Sequence, residues 1–192
     1  MILKRITDQT REIVEVEEVR IDRGLPDDFF DHDVLIHGLI KTARGFIETE
    51  MRGLVLMPQS WLQTEIEFND KIELGLMPVS SIDSVSYLDD DGAEQTLSPS
   101  VYELDNSGGI AYMRLAYDQE WPDTLTRYDA VKITMTAGHA SADDVPPQIK
   151  TACLLIVGHL YENREATTPI KLNELPFGVR AFISPYVMRR AN

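Results

Sequence analysis

The sequence predicts an α+β fold, a small helical core with an inserted antiparallel β region. Three observations predict it. Apolar residues recur at helical spacing near residues 28–52 and again near 146–164. Between about 58 and 138 the apolar period falls to two, in short runs broken by Pro, Gly and Asp clusters. A short helical pattern, 177–190, closes the chain. Helix, helix, strands, helix, helix in that order is the pattern of a helical core interrupted by a sheet. The 192 residues suit a single domain (1–192), with the helical core at about 12–55 and 145–190 and the β insertion at about 58–138.

The first helix is the least distinct. In "EIVEVEEVRID" the Glu-rich helical spacing competes with Val14/Val16 alternation, and a short helix is the reading adopted. The next is clear. Asp27 or Asp28 is the expected N-cap, and Ile36, Ile40, Ala43 and Ile47 then follow at steps of four, three and four. Leu35, Leu39 and Phe46 are expected to widen that stripe, and Gly53 to end the helix.

Five strand patterns follow. "LQTEIEF" sets Leu62, Thr64, Ile66 and Phe68 against Gln63, Glu65 and Glu67. "KIELGLM" alternates Ile72, Leu74 and Leu76, and "DSVSYL" alternates Val85 and Tyr87. "IAYMRLAY" alternates Ala111, Met113, Leu115 and Tyr117, and "AVKITMTA" alternates Val131, Ile133, Met135 and Ala137. Each apolar set is the expected core face of a strand. "SYLDDDGAEQTL" and "YELDNSGGIAYM" read as hairpins.

The long second helix starts at prolines that a first turn tolerates. Ile149, Ala152, Cys153, Ile156, Val157, Leu160 and Tyr161 hold the helical stripe without a miss. Leu154 and Leu155 fall off it, so "ACLLIV" is apolar nearly all round. A helix apolar on every side must be covered on every side, which makes Leu154 and Leu155 the candidate subunit interface. "TTPIKLNELP" then reads as a loop, and "FGVRAFISPYVMRR" as a short helix interrupted by Pro185.

Composition narrows the function classes. A net charge of −14 argues against free nucleic-acid binding, which depends on Lys and Arg displacing phosphate counterions. The charge is uneven, with Arg180, Arg189 and Arg190 and no acid from residue 180 onward. A single cysteine allows neither an intrachain disulfide nor a thiolate cluster, as expected for folding in a reducing cytoplasm. No window has eighteen apolar residues, so no membrane span is expected, and "MILKRITDQT" lacks the apolar run of a signal peptide.

No constellation announces a reaction, and no catalytic residue, metal ligand or cofactor is assigned. "YLDDDGAEQ" fails as a calcium loop, because Tyr87 and Ser98 stand where the first and last ligands belong. None of the four histidines forms His-x-x-x-His or HExxH, and no G-x-S-x-G or phosphate-binding glycine loop occurs. His159 and Glu162 in "GHLYENRE" share a helix face, so a small metal-dependent hydrolase using both is a remote alternative. Two ligands are too few, and both lie off the stripe at a helix terminus.

Three stretches resemble the head–tail connector (adaptor) proteins of tailed phages and gene transfer agents. The resemblance is strongest to a family of about this length, named after a gene-eight product of a Burkholderia phage and related to the gp6-like connectors. "PVSSIDSVSYLDDDG" looks like its Pro-Val, strand and acidic turn. "VPPQIKTACLLIVGHLYENRE" looks like its long helix, and "LPFGVRAFISPYVMRR" like its closing helix and Pro-Tyr-Arg end. The N-terminal helix and "EWPDTL" fit in order, while "AGH" at 137–139 departs from an expected aromatic. The resemblance implies a virion protein made in the host bacterial cytoplasm and placed at the portal vertex. It implies a self-assembled ring of twelvefold symmetry below the portal protein. That ring would extend a channel that DNA crosses without sequence-specific binding, and would receive a downstream neck or tail protein (a stopper or terminator). Carried over, Arg180, Tyr186, Arg189 and Arg190 would form the portal-docking tail. A tail-terminator or stopper in the same particle is the nearest alternative.

Overall fold

The computed structural model describes residues 1–26, 28–163 and 177–187. Asp27, the loop expected at 167–176, and Arg189 and Arg190 lie outside the described residues. The fold is α+β. The chain divides into two compact units, residues 1–10 with 57–140 and residues 11–56 with 141–192.

In the first unit, β1 (Ile2–Thr7), β2 (Gln59–Glu65), β8 (Val131–Ala137), β4 (Val79–Leu88) and β5 (Glu94–Thr96) form an antiparallel sheet in that order. β3 (Lys71–Glu73), β7 (Tyr112–Leu115) and β6 (Tyr102–Asp105) form a second. β8 is the sequence pattern realised, since Val131, Ile133, Met135 and Ala137 are all fully buried. Both expected hairpins form, β4–β5 around Asp89–Gly92 and β6–β7 around the 106–111 segment. β1 was not expected from "ILKRIT", where Ile2 and Ile6 remain exposed.

β2 corrects the expected phase. Its buried residues are Gln59 and Gln63, whereas Leu62 is half-buried and Ile66 is exposed beyond the strand's end. Register explains the inversion. Gln63 lies opposite Ile133, itself opposite Val85, so the glutamine continues a core row. Its amide is fully used. Nε2 donates to the Glu73 carbonyl (2.8 Å) and to Glu65 Oε1 (2.8 Å), and Oε1 accepts from the Gly75 amide (2.9 Å). A buried amide with its partners made is tolerated where an unsatisfied one would cost free energy. β4 departs from strict alternation too. Two bulges, between Val79 and Ser81 and between Ile82 and Ser84, bring Val79, Ile82 and Val85 onto the core row at spacings of three. Tyr117 is 97% exposed, not core, because β7 ends at Leu115 and the chain turns at Asp118 with φ 59°.

The second unit is helical. α1 (Val16–Asp22) starts at Glu15, whose amide donates to the Glu18 carboxylate (2.6 Å) in a capping box. α2 spans Asp33–Glu50, starting later than expected. Residues 28–32 form turns instead, with the Phe29 amide on the Pro26 carbonyl (3.0 Å) and Asp33 on Phe30 (3.1 Å). Asp28 therefore does not cap, and His32 takes that place. Ile36, Ile40, Ala43 and Ile47 are all fully buried, each isoleucine contributing roughly 1.5–3 kcal/mol. Leu35 lies on the exposed side of the helix instead of widening this stripe. α2 ends before Gly53, through Arg52 at φ 52° and Gly53 at φ 109°. α3 (Pro147–Glu162) begins at Pro146 and Pro147 and buries Ile149, Ala152, Cys153, Ile156 and Val157 against α2 and α4 (Phe177–Ile183). A 3₁₀ turn, Ser184–Tyr186, follows at Pro185. Among the described residues no helix is long and apolar enough to cross a membrane.

Candidate functional site

The C-terminal end of α3 holds the residues of "GHLYENRE". Gly158 is buried there, and a Cβ on it would stand 2.6 Å from the Arg23 guanidinium. The missing side chain thus lets Arg23 lie against the helix, where its Nη1 meets Glu162 (3.0 Å) and its Nη2 meets Asp22 (2.7 Å). Tyr161 turns the other way. Its hydroxyl is 2.6 Å from His32 Nδ1, and Phe29 meets the same imidazole edge-on at 4.8 Å. Asn163 closes the helix, its backbone and side-chain amides both donating to the His159 carbonyl (3.1 and 2.8 Å).

The suggested His159–Glu162 cluster is therefore divided. Glu162 serves Arg23, and His159 stands beside the Asn163 cap, 3.4 Å from its side chain. Among the described residues no three His, Cys, Asp or Glu side chains are gathered to hold a metal. The Asp89 carboxylate, in the rejected calcium loop, is occupied by its own turn. It accepts from the Gln95 side chain (2.8 Å) and from the Ala93 and Asp91 amides, which together hold its pKa down. Cys153 is fully buried, and desolvation pushes its thiol up to about 12, so it stays protonated and unreactive at neutral pH. His159→Ala is expected to change stability by no more than about 1 kcal/mol in urea unfolding, since the imidazole is only half-buried and its contact with the Asn163 side chain is long (3.4 Å).

The α3–α4 surface has different chemistry. Leu155 is 38% exposed and Leu154 half-buried, so the off-stripe leucines are incompletely covered. Leu155 lies beside Gly178 of α4, within 3.8 Å of where a Cβ would stand. Arg180 is exposed on α4. Tyr186 is half-buried and donates from its hydroxyl to Gln148 Oε1 of α3 (3.1 Å). A buried network lies elsewhere in the same unit. Arg44, 5% exposed, places Nε 3.0 Å from Glu12 and Nη1 3.5 Å from Glu48, and Glu48 also accepts from the Leu56 amide (3.0 Å). Sequence reasoning missed this network. Its one local signal is the i, i+4 spacing of Arg44 and Glu48.

The arrangements above are helix-end, turn and ion-pair contacts. Chains in solved gene transfer agent particles have this architecture throughout. One is from the neck of an empty particle computed with C6 symmetry, with a TM-score of 0.80 and 22% identity over 100% of this chain and 98% of that one. The fold is that of a gene transfer agent neck chain. A chain in the virion of a native gene transfer agent particle matches with a TM-score of 0.77 and 23% identity, and one in a native neck computed with C12 symmetry with 0.72 and 20%. Each covers 100% of this chain and 98% of its own. At these identities the likeness is one of fold. No family model and no curated protein matches the sequence.

Proposed function

We propose that this chain is a non-enzymatic structural protein of the neck of a gene-transfer-agent or phage particle. Within the neck it acts as the head–tail adaptor, a homo-oligomeric ring below the portal that extends the DNA channel and receives the next tail-side protein. The carrying observation is the match over the full chain to neck chains at TM-scores of 0.72–0.80. The C6 and C12 symmetries of those necks support a ring, and twelvefold is the order we assign. The charge of −14 suits the role, since a channel wall that repels phosphate does not retain the DNA passing through it. Arg180 and Tyr186, with Arg189 and Arg190 beyond the described residues, are the proposed portal-facing segment.

Neck proteins include stoppers and terminators, so the assignment within the neck needs a genetic test. Deleting the gene is expected to give DNA-filled or leaking heads without joined tails. Heads carrying tails of abnormal length would indicate a terminator instead.

We propose the subunit contact at Leu154 and Leu155, and Leu155 is the residue to test. Leu155→Asp is expected to leave the monomer folded, because the side chain is already part-exposed. Only the exposed 38% of Leu155 is left for an interface to bury, about 0.6–1 kcal/mol per contact or roughly a 3–7-fold weaker interface, and burying a carboxylate adds to that. Particles assembled with the variant should lack the chain at the neck, and wherever the wild-type chain forms rings on its own, sedimentation velocity should show the variant as monomer. Rings of unchanged strength would remove Leu155 from the interface.

A further inference from the structure

The chain passes between its two units at residues 10–11, 56–57 and 140–141. On the helical side, the first two crossings continue as irregular segments with buried side chains. Ile13, Val14, Val55 and Leu56 are all buried. Irregular backbone in such a place must find partners for its polar groups inside the protein. Apolar burial holds each segment on its own account. The Arg44 network joins the two.

Glu12 precedes Ile13 in the first segment, and its carboxylate is 3.0 Å from Arg44 Nε of α2. Arg44 Nη1 is 3.5 Å from Glu48 Oε2, one turn further along the same helix. Glu48 Oε1 accepts from the amide of Leu56, the last residue before the second crossing (3.0 Å). One arginine thus stands between two carboxylates, each belonging to a different crossing. The side chains of Glu12 and Arg44 are 7% and 6% exposed and that of Glu48 15%. The third crossing is secured separately, by the Ser141 amide and hydroxyl on the Asp144 carboxylate (3.0 and 2.9 Å).

We propose that Arg44 is a conformational clasp, which anchors both crossings to α2 and makes them loosen together. The clasp does not depend on the neck assignment. Its physical basis is that one buried cation compensates two buried carboxylates. While either carboxylate remains, Arg44 keeps a counter-charge. With both gone, a guanidinium is left buried with none. With Arg44 gone, both carboxylates lose their compensation. Glu48 is the less buried of the two, so it is the one that turns towards water, and the Leu56 amide then loses its acceptor.

A double-mutant cycle in the full-length chain, read by urea unfolding, tests the shared cation. Glu12→Gln and Glu48→Gln are each expected to raise the unfolding constant modestly. Together they should raise it about tenfold beyond the product of the two single effects. In chains that also carry Arg44→Met this excess should shrink to within about threefold. An excess that persists without Arg44 would be a direct effect of one carboxylate on the other, and would overturn the clasp. Hydrogen exchange reads the crossings themselves. The control is Ile36→Ala, a cavity on the same helix with a comparable loss of global stability. Peptides covering 11–15 and 53–58 are expected to exchange about tenfold faster in Arg44→Met than in Ile36→Ala, while α3 peptides exchange alike in both. Equal exchange at the crossings would reduce Arg44 to a general contributor to stability. Faster exchange at one crossing alone would show that the two are anchored independently. Either result contradicts the proposal.

Discussion

Arg44→Met is expected to destabilise the chain by about 3–5 kcal/mol, measured by urea unfolding. Arg44 is the cation of a buried network, 3.0 Å from Glu12, which is itself 8% exposed. Burial already raises the Glu12 pKa, with Arg44 pulling it back down. Without Arg44 the carboxylate is left in the same place with its opposing charge gone, and methionine fills the volume without replacing that charge. The sign with pH follows. A carboxyl whose folded pKa lies above its unfolded value binds more protons in the folded state. Stability is then lost as pH rises through that window and regained as pH falls. Removing Arg44 raises the folded pKa further, so the gap between variant and wild type should narrow as pH falls from neutral towards the ordinary carboxylate range. Pairing the change with Glu12→Gln should recover most of the loss at neutral pH. A loss below about 1 kcal/mol would mean that water reaches the pair as at a surface salt bridge.

Gly138→Ala is expected to cost about 3 kcal/mol or more. Gly138 follows β8 with φ 118°, a conformation that L residues rarely adopt. A Cβ there would fall on the Met57 carbonyl and lie 2.8 Å from the Pro58 nitrogen, all backbone atoms. Relief by movement is blocked on both sides, since Ala137 pairs with Gln59 of β2 and with Val79 of β4, and the Gly138 amide donates to the Pro78 carbonyl (2.8 Å). Gly92→Ala is the control. That residue also has positive φ (79°), but nothing stands within 4 Å of its missing Cβ. Only conformational strain applies there, about 1–2 kcal/mol. Equal losses at the two glycines in thermal or urea unfolding would show that the close approach at Gly138 carries no energy of its own.

The helices were legible where one physical cause governs the pattern. Ile36, Ile40, Ala43 and Ile47, and the α3 residues from Ile149 to Val157, are apolar at helical spacing because one side of each helix is buried. β8 was legible at period two for the same reason. What escaped was set by contacts distant in sequence. Gln59 and Gln63 belong to the core because their amides find partners, which hydropathy does not register. The bulges of β4 put core residues at a spacing that matches neither period. At the candidate site, Leu155 was legible as an apolar residue off its stripe. Glu162 was legible as a polar group at a helix terminus but its partner was not, because Arg23 stands 139 residues away. The glycine at 158 was the available clue, since a small residue inside a helix signals something packed close to it.

Immunogold labelling of intact particles with an antibody to this chain tests the neck assignment most directly. The expected result is one label site per particle, at the vertex where head meets tail. Label over the capsid facets, along the tail or at its tip, or none on particles whose other proteins label normally, would contradict it.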